Sequence, residues 1–229
     1  MRLFRSTKAG VATTLLLLAS LFAPASLDAR SVDSALEIEK KLKNGDIVVA
    51  LTGQGDSKFV TGTILINDRP ERVWQIVANP FEFCGKISPR MREVKMMLDK
   101  HDQSVMKVTM DVMIIPHFNY VVESHYKSNE KIEFHRVDGT LKDFKGSWEI
   151  VPKDNGTKCE LTYSMFLDTG FFVPQWVIRE GVKGELPRTL SAIKKRVDAV
   201  SSKREVLQAQ TIAAVNATDS LAEKHPALF

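Results

Sequence analysis

The sequence predicts an α+β fold: a curved antiparallel β-sheet wrapped around a long C-terminal α-helix, with two short helices after the first long strand. Three observations predict it. Residues Gln103–Ile115 and Cys159–Leu167 alternate apolar and polar side chains, as strands do when one face is covered and the other wet. Val182, Leu186, Leu190, Ile193 and Val197 recur at the three-to-four spacing of one helix face. Asp68–Val77, between an early hairpin and the series of strands, carries Pro70 where a first helical turn tolerates it. A run of half-covered strands followed by one apolar-striped helix buries both surfaces if the sheet folds over the helix.

The elements follow in order. Residues 1–29 read as a secretory signal. Arg2, Arg5 and Lys8 precede an apolar run from Val11 to Phe22, and small residues then offer cleavage after Ala25 or Ala29. The run is shorter than the roughly 20 apolar residues of a membrane span. The chain is therefore expected in the periplasm or outside the cell, the alternative being a membrane anchor left uncleaved. Residues 30–45 form an N-terminal helix and linker, with a helix over Ser31–Asn44 whose apolar positions are Leu36, Ile38 and Leu42. Asp46–Thr52 and Phe59–Asn67 flank the turn chemistry of Gly53-Gln54-Gly55-Asp56 and read as a hairpin. Two short helices follow, Asp68–Val77 and Phe81–Ile87, each stopped before a proline.

Strands are then expected over Arg92–Asp99, Gln103–Ile115, Phe118–Tyr126, Lys131–Val137, Asp143–Val151 and Cys159–Leu167. The long helix runs from about Val173 to Ser202, and Pro187 should kink or break it. Residues 46–202 thus make one ligand-binding domain, and residues 203–229 a flexible tail after a brief helical continuation.

Composition excludes several classes. The net charge of +4 falls to +1 when Arg2, Arg5 and Lys8 leave with a cut after Ala25, and to +2 when Asp28 leaves too. That is no electrostatic footprint for nucleic acid. Cys84 and Cys159 either pair in an oxidising compartment or remain separate thiols. The five histidines show no metal-ligand spacing, and there is no nucleophile elbow or phosphate loop. No catalytic residue, metal or cofactor is assigned. His125 and His135 fall on the outward register, whereas His117 sits at a strand junction where it would line a cavity mouth or face solvent.

A bent sheet and one helix cannot touch everywhere, so a cavity is expected where they part. The inward positions that would line it are Met106, Met110, Val112, Phe118, Tyr120 and Phe134, then Arg136, Trp148, Tyr163 and Met165, with Val182 and Leu186 from the helix. Methionines among aromatic rings give a soft interior suited to apolar ligands, and equally an ordinary packed core. Arg136 and Asp138 continue the inward register of Ile132 and Phe134. They anchor a ligand's head group, pair with each other, or return to solvent at a strand end. Phe171, Phe172 and Trp176, where the chain runs into the long helix, form either a membrane-touching lip or a buried staple.

Four segments carry a resemblance: Gly62–Trp74, with its strand running into Pro-x-x-Val-Trp; Phe81–Met91; Gly139–Ile150, with its spaced glycines before Trp148; and Gly170–Pro187. In their order and spacing they resemble the START-like, or helix-grip (SRPBCC), superfamily over residues 46–200. That group includes polyketide cyclase/dehydrase-like, coenzyme-Q-binding and lipid-transfer proteins. The resemblance implies a hydrophobic guest, a lipid, an isoprenoid quinone or a polycyclic molecule, carried or chaperoned in a cavity between sheet and C-terminal helix. Two other readings stay open. One is a cyclase- or hydrolase-like enzyme on an aromatic or polyketide-like substrate, drawing on Arg136, Asp138, Tyr120, Tyr163 or His117. The other is a protein-interaction domain with a collapsed cavity. Gly181, Gly184 and the turn before Pro187 would let the helix move as a gate.

Overall fold

The structure, a computed structural model, describes the backbone of residues 29–53, 58–112, 115–170 and 174–224, with side chains at 34–53, 58–111, 118–170 and 174–214. The expected signal segment and the Phe171–Phe172 pair lie outside the described residues, as do the side chains of Val112 and His117. The chain falls into two units, Met1–Leu36 and Glu37–Phe229. The described part of the first is helical, and the second holds every strand and the remaining helices.

Helix α1 (Ala29–Lys43) ends where Gly45, at φ 87°, turns the chain, and its Leu42 is buried while Ile38 stays exposed. Strands β1 (Val48–Thr52) and β2 (Phe59–Ile66) pair as the expected hairpin. In β2 every second residue is buried, so Val60, Gly62, Ile64 and Ile66 share the covered face. Helix α2 (Pro70–Val77) starts at its proline and buries Val73, Ile76 and Val77. Helix α3 (Pro80–Phe83) is capped by Asn79, whose side chain accepts the Phe81 N–H at 3.0 Å. It is shorter than expected, because Gly85 at φ 73° breaks the helical path before Ile87.

Six strands then form a meander: β3 (Met91–Asp99), β4 (Gln103–Val112), β5 (Ile115–Lys127), β6 (Lys131–Gly139), β7 (Asp143–Lys153) and β8 (Lys158–Asp168). Ile115 belongs to β5, not β4, and pairs with Val112. The eight-stranded antiparallel sheet has the order β1-β2-β8-β7-β6-β5-β4-β3, so the first hairpin closes onto the last strand.

Helix α4 (Gln175–Lys224) packs on one half of this sheet. Val182, Leu186, Leu190, Ile193 and Val197 are all buried against β2, β8 and α2. At about 1.5–3 kcal/mol for each such side chain, this stripe is a principal source of stability. Gly62 permits the approach: a Cβ there would stand 2.9 Å from Leu190 Cδ1 and 3.1 Å from Leu186 Cδ2. The expected break at Pro187 does not occur, since α4 runs through it. Leu186 and Leu190 are seated in the core on either side, and that packing holds the helix across its missing hydrogen bond. Nor does the helix stop near Ser202. It extends to Lys224, with Val206, Leu207 and Ile212 exposed along the extension. The expected tail is therefore helical over its described part.

Candidate functional site

The other half of the sheet is covered differently, and there a cavity of about 110 Å³ remains. Its roof is the α2–α3 corner, through Val77, Ala78, Pro80 and Phe83. Strands β3 and β4 contribute Met91, Val94 and Met106, and β5 contributes Tyr120, Val122, Ser124 and Tyr126. The far wall is Ile132 and Phe134 of β6, Phe144 and Trp148 of β7, and Tyr163 of β8. Strand periodicity builds this surface. Ser124 pairs with Phe134, Tyr126 with Ile132, and Trp148 with Tyr163, and side chains directly opposite one another share a face.

The aromatic wall is rigidly set. Trp148 and Tyr163 stack at 3.7 Å between centroids and 5° between planes, and Phe83 leans on Trp148 from the roof at 5.8 Å. Phe134 and Tyr120 both meet Phe144, at 5.1 and 5.2 Å. Such pairs add about 0.5–1.5 kcal/mol each beyond burial. Phe134 lies over Gly146, where a Cβ would come within 2.0 Å of the Ser164 carbonyl and 2.7 Å of the Phe134 ring. The glycine before Trp148 is thus required by the wall it sits in.

Four hydroxyls face this apolar space. Tyr163 donates to Met165 Sδ at 3.1 Å, and Tyr126 shares a 2.7 Å bond with Ser104. Among the described residues, neither the Tyr120 nor the Ser124 hydroxyl has a hydrogen-bond partner. Burial pushes the Tyr120 and Tyr163 phenols above their ordinary range, so both stay protonated. Tyr120 and Ser124 are therefore neutral groups free to bond a carbonyl or hydroxyl. The described lining carries no carboxylate, imidazole, ammonium or guanidinium. Among the described residues no cluster of histidine, cysteine and acidic side chains suits a metal ion.

Of the residues expected to line a cavity, the structure brings together Met106, Tyr120, Phe134, Trp148 and Tyr163. Met110 and Phe118 lie beside them, in a cluster with Val108 and Leu141. Val182 and Leu186 lie elsewhere, packed with Val60 and Ile178, and Met165 rests half-buried against that cluster. No described residue of α4 lines the cavity, which corrects the expected location: the space lies under α2–α3, because α4 is drawn onto β2 and β8. Arg136 keeps the covered register opposite Val122, and its Nη2 donates to the Gly139 carbonyl at 3.0 Å while Nε is buried without a partner. It is outside the lining. Asp138 is exposed, because the bulge that pairs Val121 with Asp138 and Val122 with Arg136 breaks the alternation. Its carboxylate accepts the Gly139 N–H, so neither an inward pair nor an anchor forms there.

The roof was missed from the sequence, and of the hydroxyl-bearing positions Tyr120 and Tyr163 were expected whereas Ser124 and Tyr126 were absent from the expected lining. Ser124 and Tyr126 continue the period of Tyr120 and Val122, a signal that was available. The two cysteines are free thiols; Cys159 is fully buried and its thiol is pushed up to about 12, chiefly by burial. His125 and His135 face outward and stack at 6.4 Å, with Glu123 3.0 Å from His125.

Residues 66–194 match the family model described as polyketide cyclase/dehydrase and lipid transport, which is more than half of the chain. No curated protein matches the chain in sequence. Similar solved structures include a START superfamily protein from Mycobacterium smegmatis, at 16% identity and TM-score 0.54, covering 62% of this chain and 98% of that one. A STAR-related lipid transfer protein from Xanthomonas axonopodis is 16% identical at TM-score 0.53, with 66% and 92% covered. The Zhui aromatase/cyclase of Streptomyces sp. R1128 is 13% identical at TM-score 0.51, with 61% and 93% covered. At these identities the likeness is one of fold.

Proposed function

Because the chain belongs to the polyketide cyclase/dehydrase and lipid transport family, we propose that it is an exported binding protein that holds a hydrophobic small molecule in the aromatic cavity under α2–α3, as a carrier or chaperone. The observation that carries the reading is the lining itself: seven aromatic side chains, apolar residues and neutral hydroxyls, with no described group that would move a proton near neutral pH. Binding in such a place draws on apolar desolvation, about 25 cal/mol per Å². The Tyr120 and Ser124 hydroxyls orient one polar atom of the guest. One neighbour is named a lipid transfer protein and another an aromatase/cyclase, names that agree with a lipid, isoprenoid quinone or polycyclic guest. Trp176, 64% exposed, is the described part of a lip that would meet a membrane during loading.

Native mass spectrometry on protein taken from its own cell envelope tests the reading. The expected result is a polypeptide starting after Ala25 or Ala29, with a co-purifying small apolar molecule. A bare, uncleaved chain recovered from the cytoplasm would contradict both export and carriage.

A further inference from the structure

The aromatic cavity does not stand alone. A second space, of about 350 Å³, adjoins it between Trp74, Phe81, Asp99, the Lys100–His101 turn and Ser128. The two spaces share Ala78, Pro80 and Tyr126 in their walls, so these residues are what divides them. Tyr126 is held from both sides. Its hydroxyl bonds Ser104, which is 1% exposed, at 2.7 Å, and its ring meets Trp74 edge-on at 6.2 Å and 84°.

Size and chemistry separate the two chambers. The inner one, at about 110 Å³, is smaller than the dry cavity of about 150 Å³ that accepts one benzene, and far below the roughly 300 Å³ at which ordinary ligand pockets begin. With small adjustments it takes one ring and no more. The outer basin has the missing volume, and its wall sets a carboxylate, an ammonium, an imidazole and the Ser128 hydroxyl beside three aromatic rings. The inner wall has none of these charged groups among the described residues.

We infer that the two chambers are one binding site divided by Tyr126, and that its ligand is an amphipath. The apolar end, about one ring in size, occupies the inner cavity, and the polar, hydrogen-bonding end lies in the basin between α3 and the β3–β4 turn. The mouth of the site is therefore at Phe81 and His101, away from α4, and Tyr126 is the element that must swing for the ligand to pass. The inference rests on the reading that the inner cavity binds an apolar molecule.

Two probes test it. Fluorobenzene, followed by fluorine NMR, fits the inner cavity alone, whereas dansyl amide, followed by its fluorescence, has two fused rings and is too large for it, so that its second ring and polar sulfonamide must reach the basin. Ser128→Trp and Asp99→Trp narrow the basin from two walls, both at exposed positions outside the core, and thermal melts confirm that each variant is folded. The expected result is a dissociation constant for dansyl amide raised about tenfold in each variant, with fluorobenzene unchanged within about twofold. Dansyl amide held equally tightly by both variants, or both probes lost in parallel, would overturn the two-chamber site while leaving apolar binding intact. Failure of fluorobenzene to bind the unaltered protein would remove the proposed function, and this inference with it, whereas fluorobenzene bound with no binding of dansyl amide would overturn this inference alone.

Discussion

Ser104 and Cys159 are both buried to within a percent of completely, yet they constrain the molecule in opposite ways. Ser104 supplies the hydrogen bond that pins Tyr126 between the two chambers. Ser104→Ala removes that bond without adding bulk, so the association rate of dansyl amide should rise several-fold while the melting temperature falls only slightly; stopped-flow fluorescence measures it, and an unchanged rate would exonerate Tyr126 as a barrier. Cys159 sits in the core with its thiol pushed up to about 12. The thiolate is the reactive form, so at pH 8 a disulfide reagent should modify at most Cys84 in the native protein and reach Cys159 only on unfolding. Two fast equivalents of reaction would contradict the described burial. Asp138 marks the limit of reading at this scale. Strict alternation places it beside Phe134, and a single extra residue in β6 returns it to solvent. Nothing in the local sequence announces that bulge.

Helix α4 is held to the sheet by close approach at Gly62 and to the roof of the cavity by charge. Gly62→Val would drive side-chain atoms into Leu186 and Leu190, and overpacking of this kind costs about 1–3 kcal/mol. Urea unfolding should show that loss, and an unchanged midpoint would mean that the helix rides further from β2 than described. Arg196 of α4 meets Glu82 of α3 through two bonds, at 2.6 and 3.2 Å. The guanidinium, with Lys86 adding to it, holds the Glu82 carboxyl below its usual range. A carboxyl depressed in the folded state stabilises the fold above its unfolded pKa, and that contribution is lost as pH falls through the folded pKa. Glu82→Gln should therefore lower the melting temperature near neutrality and flatten its fall between about pH 5 and pH 3. A variant with the same acid profile as the parent would rule the bridge out as a contributor. The helix stripe from Val182 to Val197 was legible because period 3.6 survives any tertiary context. The fate of Pro187 was not, because the packing of Leu186 and Leu190 overrides its local preference.

Across the whole molecule, one sheet serves two purposes. Its β1-β2-β8 side is filled by α4, and its β3–β7 side is only partly filled by α2, α3 and aromatic side chains, leaving the cavity. Fold class, strand order along the chain and five lining residues were readable because alternation reports which face is covered. Which helix does the covering was not readable, since α2–α3 and α4 both present apolar faces and only their competition for β2 and β8 decides the outcome. The roof residues Ala78, Pro80 and Phe83 were missed for that reason.

The most direct test fills the cavity from its own wall. Ser124 is 2% exposed and faces the inner space, so Ser124→Phe places a ring where the guest should sit. Titration with fluorobenzene, followed by fluorine NMR on protein whose melting temperature shows it folded, should then give an affinity at least about tenfold weaker than that of the unaltered chain. Equal affinity for the two proteins would contradict the claim that this cavity is where a hydrophobic molecule binds.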